Sequence, residues 1–240
     1  MRGVQRGVLN GFAAGLGVML ALAVTVGLGP AGWLAGIVVA AAGNLLVARA
    51  RVRHGVDRLG PGDWVTATRA LIVVGVTALV ADGTAQALLV TLAAVALALD
   101  AVDGRVARRT GTTSVFGAAF DMEVDAWLIL VLSVQVAPEA GPWVLLIGAA
   151  RYLLGIAAHV MPMLRRPVPV RWWAKVVAAI QGITLAVVAT GWLPLMVGQA
   201  VLVVALLLLT ESFAHQVRWL TTHAAPSVPE TVTQLEGAPS

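Results

Sequence analysis

The stretch DAVDGRVARRTGTTSVFGAAFDMEVD, residues Asp100 to Asp125, holds four aspartates in a chain that has only 12 acidic residues in all. The chain around it is very apolar: 59% of its 240 residues are hydrophobic, 12% are charged, and the mean hydropathy is +0.90. This composition excludes an ordinary soluble domain and is typical of a polytopic membrane protein. The four carboxylates therefore need an explanation, because an isolated charge at membrane depth is costly.

Apolar runs long enough to cross a bilayer as helices, about 20 residues each, recur on both sides of this stretch. The fold class that they predict is all-α, a polytopic membrane protein. We predict eight transmembrane helices, at residues 8–28, 31–49, 64–82, 85–105, 114–135, 141–161, 172–190 and 193–214.

The basic residues predict the orientation of these helices, because cytoplasmic loops collect Lys and Arg. Apart from Arg69 and Arg151, which lie inside predicted helices, they fall in or beside alternate loops. Both termini are therefore expected on the cytoplasmic side of a cell membrane, as in bacteria. The sequence pI of 10.9 then reflects topology and attraction to anionic membrane lipid, and no nucleic-acid partner is expected. The basic residues that set this pattern are Arg2, Arg6, Arg49, Arg51, Arg53, Arg58, Arg105, Arg108, Arg109, Arg165, Arg166, Arg171, Lys175 and Arg218.

The ionisable residues at membrane depth all come after the first two predicted helices, which divides the chain. Residues 1–50 are predicted to form two additional helices, and 51–62 a short helix on the cytoplasmic surface. Residues 63–218 form a six-helix core, and 219–240 a disordered tail rich in Pro, Ser and Thr. Gly11, Gly15 and Gly17 would allow close helix contact, including contact in a homodimer.

The four aspartates are spaced to share a site. Asp100 and Asp103 lie on one face near the end of the fourth helix, and Asp121 and Asp125 share a face of the fifth. Because the chain has no cysteine, metal ligands must come from other groups, and two antiparallel pairs of carboxylates suit Mg²⁺ or Mn²⁺. Two such ions would balance the four charges. The alternative is that the acids pair with the arginines of a solvated loop, Arg105, Arg108 and Arg109.

The spacing is also that of a known signature. Its pattern is DxxDGxxAR, eight residues, then GxxxDxxxD, and the chain resembles the CDP-alcohol phosphotransferase (CDP-alcohol phosphatidyltransferase) family, class I, at every position. The matching residues are Asp100, Asp103, Gly104, Ala107, Arg108, Gly117, Asp121 and Asp125.

The resemblance implies a six-helix core that holds two divalent ions, usually Mg²⁺. Asp100, Asp103 and Asp121 would bind metal, while Asp125 would contact the second ion and act as the general base. The acceptor alcohol would attack a CDP-linked lipid such as CDP-diacylglycerol, and CMP would leave. The product would be a phospholipid.

Further residues resemble the family's contacts to the CDP-lipid. Asp63, Thr66 and Arg69 follow one helical stripe, and Asp63 is also a plausible N-cap of its helix. Ser114 would contact the nucleotide, cap the fifth helix, or do both. Within the signature, the residues expected to surround the CDP-lipid are Gly104, Ala107, Arg108 and Gly117, with Gly104 and Arg108 at the pyrophosphate.

Two basic residues bear on the identity of the acceptor alcohol. Arg151 lies inside the sixth helix, and with Lys175 it could bind a phosphorylated acceptor such as glycerol 3-phosphate or inositol phosphate. The stretch AKVVAAIQ, 174–181, resembles GKxKTxxQ of phosphatidylglycerophosphate synthases but departs from it at three positions. A neutral polyol or a lipid alcohol is the alternative acceptor. A divalent-cation transporter is the alternative of another class, although it would not need the small residues of the signature.

Overall fold

In the computed structural model, the chain folds into a bundle of α-helices. The structure describes residues 2–56, 59–111, 114–161 and 172–222, and these residues form eight α-helices and no strand. A short 3₁₀ turn, Pro142–Val144, leads into the sixth helix. The helices are α1 (Arg2–Val26), α2 (Pro30–His54), α3 (Pro61–Asp82), α4 (Gln86–Thr110), α5 (Val115–Ala140), α6 (Leu145–Val160), α7 (Trp172–Val188) and α8 (Leu195–Thr222).

The helices match the predicted transmembrane segments one for one. Helices α1, α2, α3, α6 and α8 contain segments that are long and apolar enough to cross a membrane. Shorter apolar segments occupy Gln86–Asp100 of α4 and Trp173–Val188 of α7. The prediction of an all-α polytopic membrane protein is confirmed.

Several helices extend beyond the apolar runs that predicted them. Residues Arg51–His54 continue α2, which ends at Gly55 in the left-handed conformation (φ 65°), so this part of the segment 51–62 is not a separate surface helix. Helix α8 continues to Thr222, past the predicted start of the tail, and residues 223–240 lie outside the described part of the chain. Hydropathy detects only the apolar stretch of a helix, whereas backbone hydrogen bonding continues into polar sequence.

Helix α3 lies at the centre of the bundle, in contact with α1, α2, α4 and α5. Its side chains Val76, Ala78 and Leu79 are fully buried. The indole Nε1 of Trp127 on α5 donates to the hydroxyl of Thr77 at 3.1 Å, which adds a polar contact to the apolar packing. The position of α3 matters for the predicted site, because this helix carries Asp63, Thr66 and Arg69.

The two amino-terminal helices pack against each other and against α3. A Cβ on Gly11 would overlap Asn44 Oδ1 of α2, and a Cβ on Gly15 would lie 3.1 Å from Ala40 Cβ. At the far end, the Asp82 carboxylate accepts the backbone N–H of Gly29 at 3.0 Å and ties the start of α2 to the end of α3. Close contact at Gly11 and Gly15 therefore serves packing within the chain.

The contact between α5 and α6 predicts a difference between two glycines of one helix. A Cβ on Gly148 would lie 2.6 Å from the Leu130 Cα, whereas a Cβ on Gly155 meets no atom within 4 Å. Gly148→Ala should destabilise the protein by about 1–3 kcal/mol through overpacking. Gly155→Ala, the matched control, should stabilise it by up to about 1 kcal/mol through helix propensity. Thermal unfolding in detergent measures both, and equal shifts for the two variants would contradict the packing.

Candidate active site

The starts of α3 and α5 are held side by side, which sets the register of the site. Asp63 lies against the first turn of α5, so closely that a Cβ on Gly117 would be 2.5 Å from its Oδ1. Only glycine leaves room for this approach. From these two residues both helices run inward. Arg69 follows Asp63 on α3, and Asp121 and Asp125 follow Gly117 on α5, each by a distance along the helix of about 6–12 Å. Arg69 of α3 therefore reaches the same depth as Asp121 and Asp125 of α5.

At that depth one guanidinium group joins three carboxylates from two other helices. Arg69 Nη1 lies 3.1 Å from Oδ1 of Asp100 on α4 and 2.5 Å from Oδ1 of Asp121. Its Nη2 donates to Oδ1 of Asp125. Because a buried charge is tolerated when it is paired and hydrogen-bonded, this cluster explains how an arginine and three aspartates lie together inside the bundle.

The cluster is closed on one side and open on the other. The Arg69 side chain is fully buried, whereas those of Asp100, Asp121 and Asp125 are 39%, 33% and 32% exposed. One oxygen from each of the three carboxylates can be chosen so that all lie within 4.8 Å of one another. Hard divalent cations prefer such oxygen donors, and two of the three negative charges are not balanced by Arg69. The donor set therefore fits a divalent metal ion.

The structure confirms part of the predicted arrangement of the signature. Helices α4 and α5 bring Asp100 together with Asp121 and Asp125, as their spacing predicted. Gly104 is partly buried on α4. Asp103, Ala107 and Arg108 belong to the same helix, but their side chains lie outside the described part of the structure, as do those of Arg105 and Thr110.

Apart from Arg69, which contacts the carboxylates, the predicted CDP-lipid residues of α3 and α5 lie near the helix starts. Thr66 is buried, and its hydroxyl donates to the Gly62 carbonyl oxygen at 3.2 Å. Ser114 is the N-cap of α5, as predicted, since its hydroxyl accepts the Gly117 N–H at 2.9 Å.

The capping prediction for Asp63 was wrong. Gly60 is the N-cap of α3, and Asp63 occupies the third helical position, where its carboxylate accepts the Gly60 N–H at 2.8 Å. This is the carboxylate half of a capping box. Pro61 places the helix start two residues before Asp63, because proline favours the first helical position.

The residues proposed for the acceptor lie apart from each other in sequence and on different helices. Arg151 of α6 is 3.5 Å from Glu123 of α5, and both side chains are nearly half exposed. Lys175 is exposed in the first turn of α7. Gln181, further along α7, is buried and donates to the Ala205 carbonyl oxygen at 2.8 Å. Arg165, Arg166 and Arg171 fall in residues 162–171, outside the described ranges.

Sequence reasoning missed two ion pairs in this region. It assigned Arg69 to the CDP-lipid and did not connect it with the aspartates, although a charged residue at membrane depth requires a partner. It also did not pair Arg151 with Glu123. In both cases the available signal was an unmatched charge at similar depth on a neighbouring helix.

Comparison with curated proteins and with solved structures gave no match. A family model described as CDP-alcohol phosphatidyltransferase matches residues 59–211. The matched segment is well over half of the chain, runs from the start of α3 into α8, and includes every residue of the aspartate signature. This chain therefore belongs to the CDP-alcohol phosphatidyltransferase family.

Proposed function

We propose that this protein transfers a phosphatidyl group from a CDP-linked lipid, such as CDP-diacylglycerol, to the hydroxyl of an acceptor alcohol and releases CMP, as a step of phospholipid biosynthesis. The family match supports transfer from a CDP-alcohol to an acceptor. The observation that carries the proposal is the cluster of Asp100, Asp121 and Asp125, whose carboxylate oxygens approach within 4.8 Å beside an open face.

The acidic residues would hold the metal. In this proposal Asp100, Asp103, Asp121 and Asp125 bind two divalent ions, Mg²⁺ or Mn²⁺. Such ions would stabilise charge on the attacking and leaving oxygens of the phosphoryl group. The contribution of the protein is otherwise to position the groups, as is general in phosphoryl transfer.

Asp125 would act as the general base. Its carboxylate takes the proton of the acceptor hydroxyl as that oxygen forms a bond to the lipid-linked phosphorus. The bond from this phosphorus to the bridging oxygen breaks, and CMP leaves with that oxygen. Asp63, Thr66, Ser114 and the signature residues Gly104, Ala107, Arg108 and Gly117 would contact the CDP group, near the starts of α3 and α5.

The location of the site favours a lipid-linked substrate. The apolar helices make the protein an integral membrane protein. The cluster lies near the starts of α3 and α5, which we propose to be on the cytoplasmic side because the neighbouring loops are basic. We propose that 63–218 is the catalytic core, that α1 and α2 support α3 from outside it, and that both termini are cytoplasmic. A homodimer remains part of the proposal.

The test is an assay of the purified protein with CDP-diacylglycerol, Mg²⁺ and a panel of labelled acceptors, with the product identified by mass. The panel includes glycerol 3-phosphate, inositol phosphate, a neutral polyol and a lipid alcohol. A phosphodiester lipid and CMP in equal amounts are expected with one acceptor class. Divalent-cation flux into proteoliposomes without any lipid product would favour the transporter alternative and refute the proposal.

Arg151 provides a prediction about the acceptor class. If the acceptor carries a phosphate, charge-assisted hydrogen bonds from Arg151 should hold it. Arg151→Ala should then raise the acceptor KM at least about tenfold, which corresponds to about 1.4 kcal/mol, and leave the KM for CDP-diacylglycerol nearly unchanged. For a neutral acceptor the change should have little effect.

Glu123→Gln is the matched control for this measurement. It removes the charge that Arg151 faces at 3.5 Å but keeps the guanidinium. If Arg151 binds an acceptor phosphate, Glu123→Gln should not raise the acceptor KM. A similar rise in both variants would show that the ion pair supports the helix packing and that Arg151 does not bind the acceptor.

A further inference from the structure

Arg69 lies behind the carboxylates, on the side of the cluster away from the opening. Its side chain has no exposed surface, whereas each of the three aspartates that it contacts keeps about a third of its surface exposed. A substrate that enters from the open side meets the carboxylates first. A direct contact between Arg69 and the CDP-lipid would require the aspartates to move aside.

The contacts of Arg69 use one oxygen of each carboxylate. Its two terminal nitrogens meet Oδ1 of Asp100, Asp121 and Asp125, so that α3 is tied to α4 and α5 by one planar group. The second oxygen of each aspartate is not used in these three contacts. A carboxylate with one oxygen held by a hydrogen bond has its orientation fixed while the other oxygen can bind a cation.

We propose that Arg69 is a positioning residue, which orients Asp100, Asp121 and Asp125 so that their outer oxygens bind the divalent metal. The inference rests on the proposed function only in that the cluster binds metal. It differs from the sequence prediction, in which Arg69 contacts the CDP-lipid. The rigid guanidinium is essential to this role, because its donors lie in fixed directions in one plane, whereas an ammonium group is a single point of charge.

The role is supported by the charge balance of the cluster. One guanidinium among three carboxylates lowers their mutual repulsion, and its single positive charge balances one of the three negative charges. The residue therefore permits three acids to lie close together in the bundle. Removal of one member of such a buried group is normally strongly destabilising, so the test uses a variant that keeps the positive charge.

The test compares Mn²⁺ binding and kinetics in the full-length wild-type protein, Arg69→Lys and the control Arg53→Lys. Arg53 is exposed in the last turn of α2, whereas the described ion pairs of the cluster join α3, α4 and α5. Loss of a group that orients metal ligands typically weakens metal binding by about 10- to 100-fold. Arg69→Lys should therefore raise the Kd for Mn²⁺ at least about tenfold and lower kcat, with the KM for CDP-diacylglycerol at saturating metal changed by less than about threefold. Arg53→Lys should match the wild type in each measurement.

Three results would overturn the proposal. Mn²⁺ binding that is equal or tighter in Arg69→Lys would show that Arg69 does not orient the ligands or that it competes with the metal. A raised KM for CDP-diacylglycerol with unchanged Mn²⁺ affinity would assign Arg69 to the substrate. Absence of Mn²⁺ binding in the wild type would refute both the metal site and the role of Arg69. The first two results differ from this one, because in them the wild type still binds Mn²⁺.

A measurement on the wild type covers the case in which Arg69→Lys does not fold. In an experimental structure of the Mn²⁺-loaded protein, the guanidinium should remain within hydrogen-bond distance of at least two of the three aspartates. Displacement of Arg69 from all of them in the loaded protein would contradict the positioning role.

Discussion

Asp125→Asn is expected to lower kcat by about a thousandfold, within the 10²- to 10⁴-fold range that general bases contribute. Asparagine has nearly the same shape as aspartate and can still accept a hydrogen bond from Arg69, but it cannot take the proton of the acceptor hydroxyl. The measurement is CMP release from CDP-diacylglycerol at saturating acceptor and Mg²⁺. The KM values should change much less than kcat.

Glu139→Gln is the control for this variant. Glu139 lies on the same helix, is exposed and sits at the opposite end from the cluster. The control undergoes the same chemical change, from acid to amide, and should keep wild-type kcat. If Asp125→Asn retained more than about a tenth of the wild-type kcat in a folded protein, Asp125 would not be the general base.

Asp121→Asn should also remove nearly all activity at ordinary Mg²⁺ concentrations, but for a different reason. An amide oxygen is neutral and a weaker ligand for a hard cation than a carboxylate. The variant should bind Mn²⁺ at least about tenfold more weakly, in line with the losses that follow disturbance of metal ligands. Excess metal should therefore restore part of its activity.

The two variants are distinguished by metal titration. Activity of Asp121→Asn should rise as Mg²⁺ or Mn²⁺ is increased, whereas Asp125→Asn should remain inactive at every concentration. If excess metal restored Asp125→Asn and not Asp121→Asn, the roles of the two residues would be exchanged. If neither change affected the apparent metal affinity, the cluster would not be the metal site.

The sequence predicts the helices well, because α1, α2, α3, α6 and α8 contain apolar runs long enough to cross a membrane and α4 and α7 contain shorter ones. It also predicts that Asp100 meets Asp121 and Asp125, since the short connection between α4 and α5 brings two carboxylate faces together. Both features depend on residues that are close in the chain. Helix ends are predicted less well, as α2 and α8 show, because their last turns are polar.

Contacts between distant helices are where sequence reasoning fails. Arg69 is 52 residues from Asp121 and 56 from Asp125, and no spacing rule connects them. Their contact depends on the relative register of α3 and α5, which is fixed by the approach of Asp63 to Gly117. That approach is possible because Gly117 has no side chain. The sequence shows this glycine but does not show that Asp63 packs against it. The pairing of Glu123 with Arg151 depends in the same way on how α5 and α6 are rotated.

The most direct test of the account is the metal dependence of CMP release by the purified wild-type protein. The protein is treated with EDTA, freed of chelator and assayed with CDP-diacylglycerol and its acceptor, first without divalent metal and then with Mg²⁺ or Mn²⁺ added. The account predicts no CMP above background in the first assay and full activity in the second. Transfer that continues at the wild-type rate after chelation would contradict a metal-dependent reaction at Asp100, Asp121 and Asp125.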